Sequence, residues 1–321
     1  MNVGANLEQK NIGELKMAVL NKAGLTEREF LDQYNSNKYE KPSVTADMVI
    51  FTMNDEEQDN YRKLPNKQLQ ILMIKRGDHP YIHQWALPGG FAHENEDLDA
   101  TAYRELKEET NLDNIYMEQL YTWGETERDP RTRVMSTSFL ALVNRESLRS
   151  LKAGDDAIDA QWFNVKTRLI QEVRQIHENE NITKENLIEL TLINNDIELS
   201  AKIKITKIIA DQVTKIHYQI IESKDIAFDH GKIIYYSLER LRNKVEYTHI
   251  AFNLMPKLFT LTELQQVYEI ILDKELLTAN FRRKTAGMVT PVNDKKKDKG
   301  HRPSQLFKLN TKWIEDNFFI N

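Results

Sequence analysis

The residues whose types and spacing could carry chemistry lie between Trp85 and Leu112, where a glycine-rich turn leads into a short helix. Residues three and four apart share one face of a helix, so Glu105, Glu108 and Glu109 are predicted to converge. Like charges at that spacing repel each other. A hard divalent cation such as Mg²⁺ would relieve the repulsion, because it binds carboxylate oxygens and commonly bridges to substrate phosphates. The spacing therefore predicts a metal site that faces a phosphorylated ligand.

Two further features of this stretch would position the carboxylates. Leu98, Ala102 and Leu106 recur every four residues on the opposite face of the helix, which predicts that this face packs against a sheet. Gly89 and Gly90 would let the backbone approach an ion and a substrate closely, because glycine has no side chain. We therefore expect a strand, a tight turn and a helix to surround the acidic face.

The stretch resembles the Nudix box, G-x5-E-x7-R-E-U-x-E-E-x-G-U with U aliphatic, which is the signature of the Nudix (MutT-like) hydrolases. The matching residues are Gly90, Glu96, Arg104, Glu105, Leu106, Glu108, Glu109 and Leu112. Asn111 replaces the second glycine, at a position that follows the helix end and requires a left-handed backbone. Asparagine is the next-best residue there, so we expect the substitution to spare the chemistry. The alternative, a solvated surface helix rich in Glu and Lys, does not explain eight matches at fixed spacing.

The resemblance implies an α/β/α Nudix sandwich over about residues 43–165. It also implies cleavage of a nucleoside diphosphate derivative with Mg²⁺, or alternatively Mn²⁺, as the cofactor. The implied metal ligands are the Gly90 carbonyl and the carboxylates of Glu105, Glu108 and Glu109. The implied catalytic residues are Glu105 as ligand or base, Arg104 as the residue that orients it, and Glu96 in a supporting part.

Composition limits the other possibilities. A chain of 321 residues is too long for one ordinary core, so two or three domains are expected. The absence of cysteine excludes disulfides and thiol catalysis, and it predicts a reducing compartment, the cytoplasm. We find no run of about 18 apolar residues and no basic-then-apolar amino terminus, so neither a membrane span nor a signal peptide is expected.

The alternation of apolar and polar residues predicts the elements around the box. The predicted strands are residues 43–54, 69–75, 117–123, 134–143 and 160–164. Residues 1–42 are predicted to be a peripheral helical extension with a capping box at Thr26. The weaker pattern in residues 166–224 predicts a small β-rich insertion or linker, with a hairpin turn at Asn195 and Asp196. A helix over residues 229–245 is predicted to follow, capped by Asp229.

A charged loop, residues 124–133, lies between two of the predicted strands. It resembles the RDPR-type segment of Nudix proteins that act on ADP-ribose and related dinucleotides. The residues predicted to bind substrate are Arg128, Arg131 and Arg133, whose planar forks suit phosphate and ribose oxygens, together with Phe91 beside the box glycine. Nudix enzymes often take an extra carboxylate from outside the box, and the candidates are Glu125, Glu127, Asp155 and Asp156. The alternative is an ordinary solvated loop.

Positive charge is concentrated near the carboxyl end. Residues 273–312 contain eleven Lys and Arg against four Asp and Glu, although the whole chain has a net charge of −5. The predicted order is a helix opened by a capping box at Thr260, a basic helix capped by Thr278, and strands over residues 288–292 and 305–309. This is the order of a winged helix. The residues predicted to bind double-stranded DNA are Asn280, Arg282, Arg283, Lys284, Lys295, Lys296, Lys297 and Arg302.

The combination of a Nudix domain with a basic winged helix resembles the NrtR-like family of Nudix-related transcriptional regulators. The predicted domains are residues 1–42, the Nudix domain 43–165, the insertion and linker helix 166–245, and the winged helix 246–321. We predict first a Nudix hydrolase acting on ADP-ribose, because a pure sensor has no need for an intact box. The alternative is a homodimeric DNA-binding regulator that senses ADP-ribose, a related nucleotide or a sugar metabolite. A third possibility is that the basic tail only mediates packing.

Overall fold

The structure is a computed structural model that describes residues 19–56, 65–111, 115–145, 157–178, 181–296 and 304–317. The chain divides into two units, residues 1–41 and 42–321. In the first unit, helix α1 (Glu27–Asp32) begins with the predicted capping box. The Thr26 hydroxyl accepts from the Glu29 backbone N–H, and the Glu29 carboxylate accepts from the Thr26 N–H. A 3₁₀ turn (Ser36–Lys38) follows within this unit.

The second unit is built on one ten-stranded sheet. Its strands are β1 (Ser43–Asp55), β2 (Lys67–Arg76), β3 (Trp85–Ala86), β4 (Gly89–Phe91), β5 (Tyr116–Trp123), β6 (Val134–Val143), β7 (Ala157–Ile176), β8 (Ile182–Asn194), β9 (Ile197–Ala210) and β10 (Val213–Lys224). The order is β10-β9-β8-β7-β2-β1-β6-β5, with β3 paired to β2 and β4 to β1. β1 and β6 run parallel, which leaves the loop before β6 beside the start of β1.

The five predicted strands are confirmed, and the sheet extends further than the sequence pattern indicated. β7 continues through residue 165, where we placed a domain boundary, and β8, β9 and β10 add to the same sheet. The predicted hairpin turn between β8 and β9 is also confirmed, because Asn195 adopts a left-handed backbone with φ 48°. The β-rich segment after residue 165 is therefore continuous with the sheet that carries the box.

The sheet is covered on both faces, which explains why most of β1 is buried. Helix α2 (Leu98–Thr110) covers one face through Ala102 and Leu106, which lie in a core with Met48 and Phe139. A larger core on the other face joins β1 and β2 to helix α3 (His230–Val245) and continues into the carboxyl-terminal elements. A single apolar core therefore connects the sheet with the end of the chain.

The carboxyl-terminal elements have the predicted winged-helix order. They are α4 (Leu261–Leu272), α5 (Thr278–Thr285), β11 (Val289–Lys296), β12 (Ser304–Leu309) and α6 (Thr311–Asn317). The capping box at Thr260 is confirmed. The predicted cap at Thr278 is wrong: Thr278 is the first residue of α5, and Leu277 precedes it without a side-chain cap. None of the described helices is long and apolar enough to cross a membrane.

Gly89 fixes how the turn before α2 lies against the sheet. It pairs with Asp47 of β1 and has a φ of 153°, which side chains rarely allow. A Cβ at this position would lie 2.2 Å from the carbonyl oxygen of Ala46. Because the clash would be with backbone, a larger residue would push β4 away from β1. Gly89 therefore allows β4, which leads into α2, to pair closely with β1.

Candidate functional site

Helix α2 carries the acidic face and has the predicted ends. The Asp97 side chain caps it by accepting from the Ala100 N–H at 2.7 Å. Asn111 ends it in the predicted left-handed conformation, with φ 55° and ψ 25°. The predicted left-handed backbone at this departure from the box pattern is therefore confirmed. Leu112 lies outside the described residues.

Arg104 neutralises much of the acidic face. Its Nε lies 2.8 Å from Glu96 Oε1, and its Nη1 lies 2.7 Å from Glu105 Oε1 and 3.3 Å from Glu108 Oε2. Glu105 and Glu109 are buried, whereas Glu108 is exposed. The expectation that repulsion on this face requires a bound cation is corrected by this arrangement, because an arginine of the box itself supplies the positive charge.

The oxygen donors of the box suit Mg²⁺ or Mn²⁺ by type. At Gly90, a Cβ would lie 2.1 Å from Glu105 Oε1, so this carboxylate fills the space that a larger residue would occupy. In the described part of the chain, however, no three acidic or histidine side chains converge closely enough to hold an ion. As arranged here, with Arg104 among the carboxylates, the residues do not form a metal site.

The pKa values of two glutamates that contact Arg104 are shifted in opposite directions. Hydrogen bonds from Arg104 lower the pKa of Glu96 from 4.5 to about 2. Burial raises the pKa of Glu105, and the hydrogen bond from Arg104 opposes this effect. Glu96 therefore stays ionised and holds the arginine, while Glu105 is the carboxyl of this pair that binds a proton more readily.

The pKa of Glu96 predicts a pH dependence of stability. A carboxyl whose pKa is lower in the folded state stabilises the fold above its unfolded-state pKa, and that contribution is lost as the pH falls. We expect the melting temperature to fall between pH 4.5 and about pH 2, and Glu96→Gln to reduce the fall. Thermal unfolding followed by circular dichroism measures the melting temperature at each pH. Glu127→Gln, at an exposed glutamate, is the control. Equal falls in the wild type and Glu96→Gln would contradict the prediction.

The structure places Arg128 in the interior, with 6% of its side chain exposed. Its guanidinium is held by Asp229, with Nη2 to Oδ1 at 2.8 Å and Nε to Oδ2 at 3.3 Å. Asp47 Oδ2 lies 3.5 Å from Nη2. Arg128 therefore presents its donors to two carboxylates rather than to a ligand, in contrast to the sequence-based expectation. The predicted cap at Asp229 is also corrected, because its side chain makes no capping hydrogen bond.

The other two arginines of the loop are more open. The Arg131 side chain is 43% exposed, and its Nη2 and Nε are held by Asp129 at 2.8 and 3.0 Å. Arg133 donates from Nη1 to the carbonyl oxygen of Glu125 at 2.9 Å. Both lie where a ligand could reach them. The predicted carboxylates Asp155 and Asp156 lie outside the described residues.

The first turn of α3 is joined to the charged loop of residues 124–133, the arginine loop. The Lys232 ammonium lies 2.8 Å from Glu125 and 3.4 Å from Asp229, and 4.9 Å from the centre of the Trp123 ring. His230, predicted to be structural, accepts a hydrogen bond from the Leu87 N–H at 2.9 Å. Burial lowers the pKa of His230, which keeps the imidazole neutral.

Sequence reasoning missed the roles of Asp47 and Lys232. Asp47 is a carboxylate within a stretch of mostly apolar and β-branched residues, and buried charges are rarely found without a partner. That signal could have identified it. Lys232 gives a weaker signal, a charge in the first turn of an otherwise apolar helix face.

Helix α5 presents its basic residues to solvent. Arg282 and Arg283 are exposed, while Phe281 and Thr285 anchor the opposite face. Asn280 accepts from Arg283 Nη2 at 3.1 Å.

Two of the lysines predicted to bind DNA lie in different surroundings. The Lys284 ammonium lies 5.6 Å from the centre of the Tyr268 ring, and desolvation lowers its pKa. Lys295 on β11 is exposed. The Lys296 side chain, Lys297 and Arg302 lie outside the described part of the wing. The described basic surface therefore consists mainly of α5 and the start of the wing.

Comparisons with known families match two separate parts of the chain. The NUDIX domain matches residues 62–181, and the NrtR DNA-binding winged helix domain matches residues 251–309. An ADPR responsive transcriptional repressor, NtrR, from Acinetobacter baylyi is 31% identical over 297 residues, covering 91% of this chain and 92% of that protein. The ADP-ribose pyrophosphatase of Methanocaldococcus jannaschii is 37% identical over 128 residues, 40% of this chain and 64% of that protein.

Among solved structures, Shewanella oneidensis NrtR complexed with a 27mer DNA has a TM-score of 0.55 and is 26% identical. The match covers 87% of this chain and 98% of that one. The Acinetobacter baylyi relative, which spans both halves of the chain, is a transcriptional repressor, and the Shewanella oneidensis structure holds DNA, whereas the pyrophosphatase matches a shorter part. They favour the regulator over the hydrolase that the acidic box alone favours.

Proposed function

The chain belongs to the NrtR family of Nudix-related transcriptional regulators, and from this membership we propose that it is a repressor that binds DNA and responds to ADP-ribose. The winged helix binds the DNA, and the Nudix domain binds the ADP-ribose. The proposed repressor is a homodimer, an arrangement that would place one recognition helix on each of two half-sites of the DNA. ADP-ribose is the proposed ligand because a relative that spans 91% of the chain is an ADPR responsive transcriptional repressor.

The observation that carries the proposal is that α3 contacts both halves of the molecule. At its amino-terminal end, Lys232 and Asp229, the residue that precedes the helix, hold the arginine loop. Near its other end, Arg242 donates from Nε to the carbonyl oxygen of Ile271 in α4 at 3.1 Å. A ligand that shifts the arginine loop would therefore shift α3 and, through it, the helix that packs against α5.

The charge of the winged helix supports the DNA half of the proposal. Arg282 and Arg283 lie side by side on the solvent face of α5, and the described start of the wing adds Lys295. Such groups bind phosphates and release counterions, so the affinity should fall as salt rises. This charge has no equivalent role in a Nudix hydrolase, which needs no contact with DNA.

A fluorescence anisotropy titration tests the proposal. A labelled duplex from the region upstream of the protein's own coding sequence is titrated with protein, with and without ADP-ribose, at several salt concentrations. We expect tight, salt-dependent binding whose Kd changes by about tenfold with ADP-ribose, a typical coupling between two sites. The sign of the change tells whether ADP-ribose is an inducer or a co-repressor. A Kd within twofold with and without ADP-ribose would reject the proposed response.

A second candidate function, hydrolysis of ADP-ribose, is favoured by the box. One hydrogen-bonded cluster beside Gly90 joins Glu96, Arg104 and Glu105. A protein that only binds its ligand does not need this cluster. For this candidate we expect ADP-ribose incubated with Mg²⁺ to give AMP and ribose 5-phosphate. Glu105→Gln should abolish both products and leave ADP-ribose binding in place. If the wild type forms neither product, the hydrolase candidate is rejected and the repressor proposal stands.

A further inference from the structure

Lys284 lies in different surroundings from the two arginines that precede it on α5. It follows Phe281 by three residues and directly precedes Thr285, and both of these residues are buried. Residues three apart share a helix face, so Lys284 lies at the border of the buried face. Although its side chain is exposed overall, its ammonium lies 5.6 Å from the centre of the ring of Tyr268, a fully buried residue of α4. The charged end of Lys284 is therefore turned toward α4.

Glu246, which caps the carboxyl end of α3, faces two lysines. Its Oε1 accepts a hydrogen bond from Lys274 Nζ at 2.9 Å. This hydrogen bond lowers the pKa of Glu246, and the charge of Lys284 lowers it further. Desolvation lowers the pKa of Lys284, and attraction to Glu246 opposes that effect. One carboxylate at the end of α3 thus attracts both the turn after α4 and α5 itself.

The turn between α4 and α5 is held by two residues of α3. Arg242 and Glu246 are four residues apart, so they lie on one face of the last helical turn. Arg242 donates from Nε to the Ile271 carbonyl oxygen at 3.1 Å, and its Nη2 lies 3.8 Å from Asp273 Oδ2. Glu246 pairs with Lys274, the next residue of the turn. A positive and a negative charge on α3 therefore meet a negative and a positive charge on the turn.

The exposure of the second pair shows what it contributes. The side chains of Glu246 and Lys274 are 54% and 52% exposed. Exposed ion pairs add little to stability, because water screens the attraction. Variants of this pair should therefore fold, and their effects should reflect the placement of α5.

We propose that Lys284 is a positioning residue, which holds α5 to the end of α3 through Glu246 and does not bind a DNA phosphate. The inference rests on the proposed function, in which ADP-ribose alters DNA binding, and it names the route to α5. The amino-terminal end of α3 holds the arginine loop, and its carboxyl end holds the turn before α5 and α5 itself. This role replaces the sequence-based assignment of Lys284 to the DNA contacts.

Fluorescence anisotropy of Lys284→Met across a salt series tests the positioning role. Methionine keeps much of the apolar stem and removes the charge. Loss of a phosphate contact lowers the slope of log K against log salt by about 1. We expect Lys284→Met to weaken DNA binding by about three- to tenfold with an unchanged slope, and the control Arg282→Met to lower the slope. Equal losses of slope in the two variants, or an unchanged affinity in Lys284→Met, would overturn the proposal.

Charge reversal at Glu246 tests the route from α3. Glu246→Lys places like charges against Lys274 and Lys284, so we expect the ADP-ribose effect on the Kd for DNA to fall from about tenfold to about threefold or less. Adding Lys274→Glu restores an opposite pair and should recover part of the effect. Glu172→Lys is the matched control, because Glu172 also forms an exposed ion pair, with Lys184 on the neighbouring strand.

The outcomes separate this inference from the function on which it rests. If ADP-ribose changes the Kd for DNA equally in the wild type, Glu246→Lys and Glu172→Lys, the route through Glu246 is overturned and the proposed function stands. If the wild type binds DNA without any response to ADP-ribose, the proposed response fails, and the salt slopes still decide the role of Lys284. If the wild type does not bind DNA, both are overturned.

Discussion

Replacing Arg128 with methionine is expected to lower the free energy of unfolding by about 3–5 kcal/mol, the usual cost of removing one partner from a buried ion pair. The substitution would leave Asp229 and Asp47 without the guanidinium that lies 2.8 and 3.5 Å from them. Methionine fills much of the same volume, so the loss would reflect charge rather than a cavity. Urea denaturation followed by circular dichroism measures the effect.

Arg133→Met is the matched control for this prediction. It removes a guanidinium of the same loop that contacts a carbonyl oxygen at the exposed surface, so its cost should be about 0.5 kcal/mol or less. Combining Arg128→Met with Asp229→Asn should recover part of the loss, because both charges of the main pair are then removed. Equal effects of Arg128→Met and Arg133→Met would show that the buried pair does not hold the loop.

The double substitution Arg282→Ala and Arg283→Ala is expected to weaken DNA binding by roughly 100-fold or more, since each such contact contributes about 1–3 kcal/mol. Both side chains are exposed on α5, so folding and ADP-ribose affinity should be unchanged. If both contact phosphates, the slope of log K against log salt should decrease by about 2. Fluorescence anisotropy across a salt series measures both quantities.

A control variant with the same change in net charge distinguishes the loss of direct contacts between α5 and DNA from a general weakening of electrostatic attraction to DNA. Arg168 and Arg174 are exposed on β7, so replacing both with alanine also removes two positive charges. This control should change the affinity for DNA only slightly. Comparable losses in the two double variants would mean that α5 is not the recognition helix.

The box and the winged helix could be predicted because their signals are local. Gly90, Glu96 and Arg104 are read from fixed spacing, and the capping box at Thr260 from four consecutive residues. Even the left-handed backbone at Asn111 followed from the chemistry of one residue. Where a short segment specifies its own conformation, sequence reasoning was sufficient.

The connection between the two halves could not be predicted, because its partners are distant in the sequence. Arg128 pairs with Asp229, 101 residues away, and with Asp47, 81 residues away. Nothing in the local pattern of a charged loop distinguishes an arginine that turns inward from one that faces solvent. The strands after residue 165 raised the same difficulty, since their pairing with the box sheet depends on tertiary packing.

The acidic face of α2 shows a different limit. Counting like charges at helical spacing predicted repulsion that a metal ion must relieve. That count did not consider Arg104, which contacts Glu96 eight residues before it and Glu108 one turn after it. A metal ion would therefore compete with Arg104 for the same carboxylates.

The most direct measurement of coupling between the two halves is the affinity for ADP-ribose with and without DNA. Calorimetry gives the Kd for the free protein and for the protein saturated with its upstream duplex. We predict that DNA changes this Kd by about 5- to 150-fold, by the same factor as ADP-ribose changes the Kd for DNA. An ADP-ribose Kd that is the same in the presence and absence of DNA would contradict a Nudix domain that controls the winged helix.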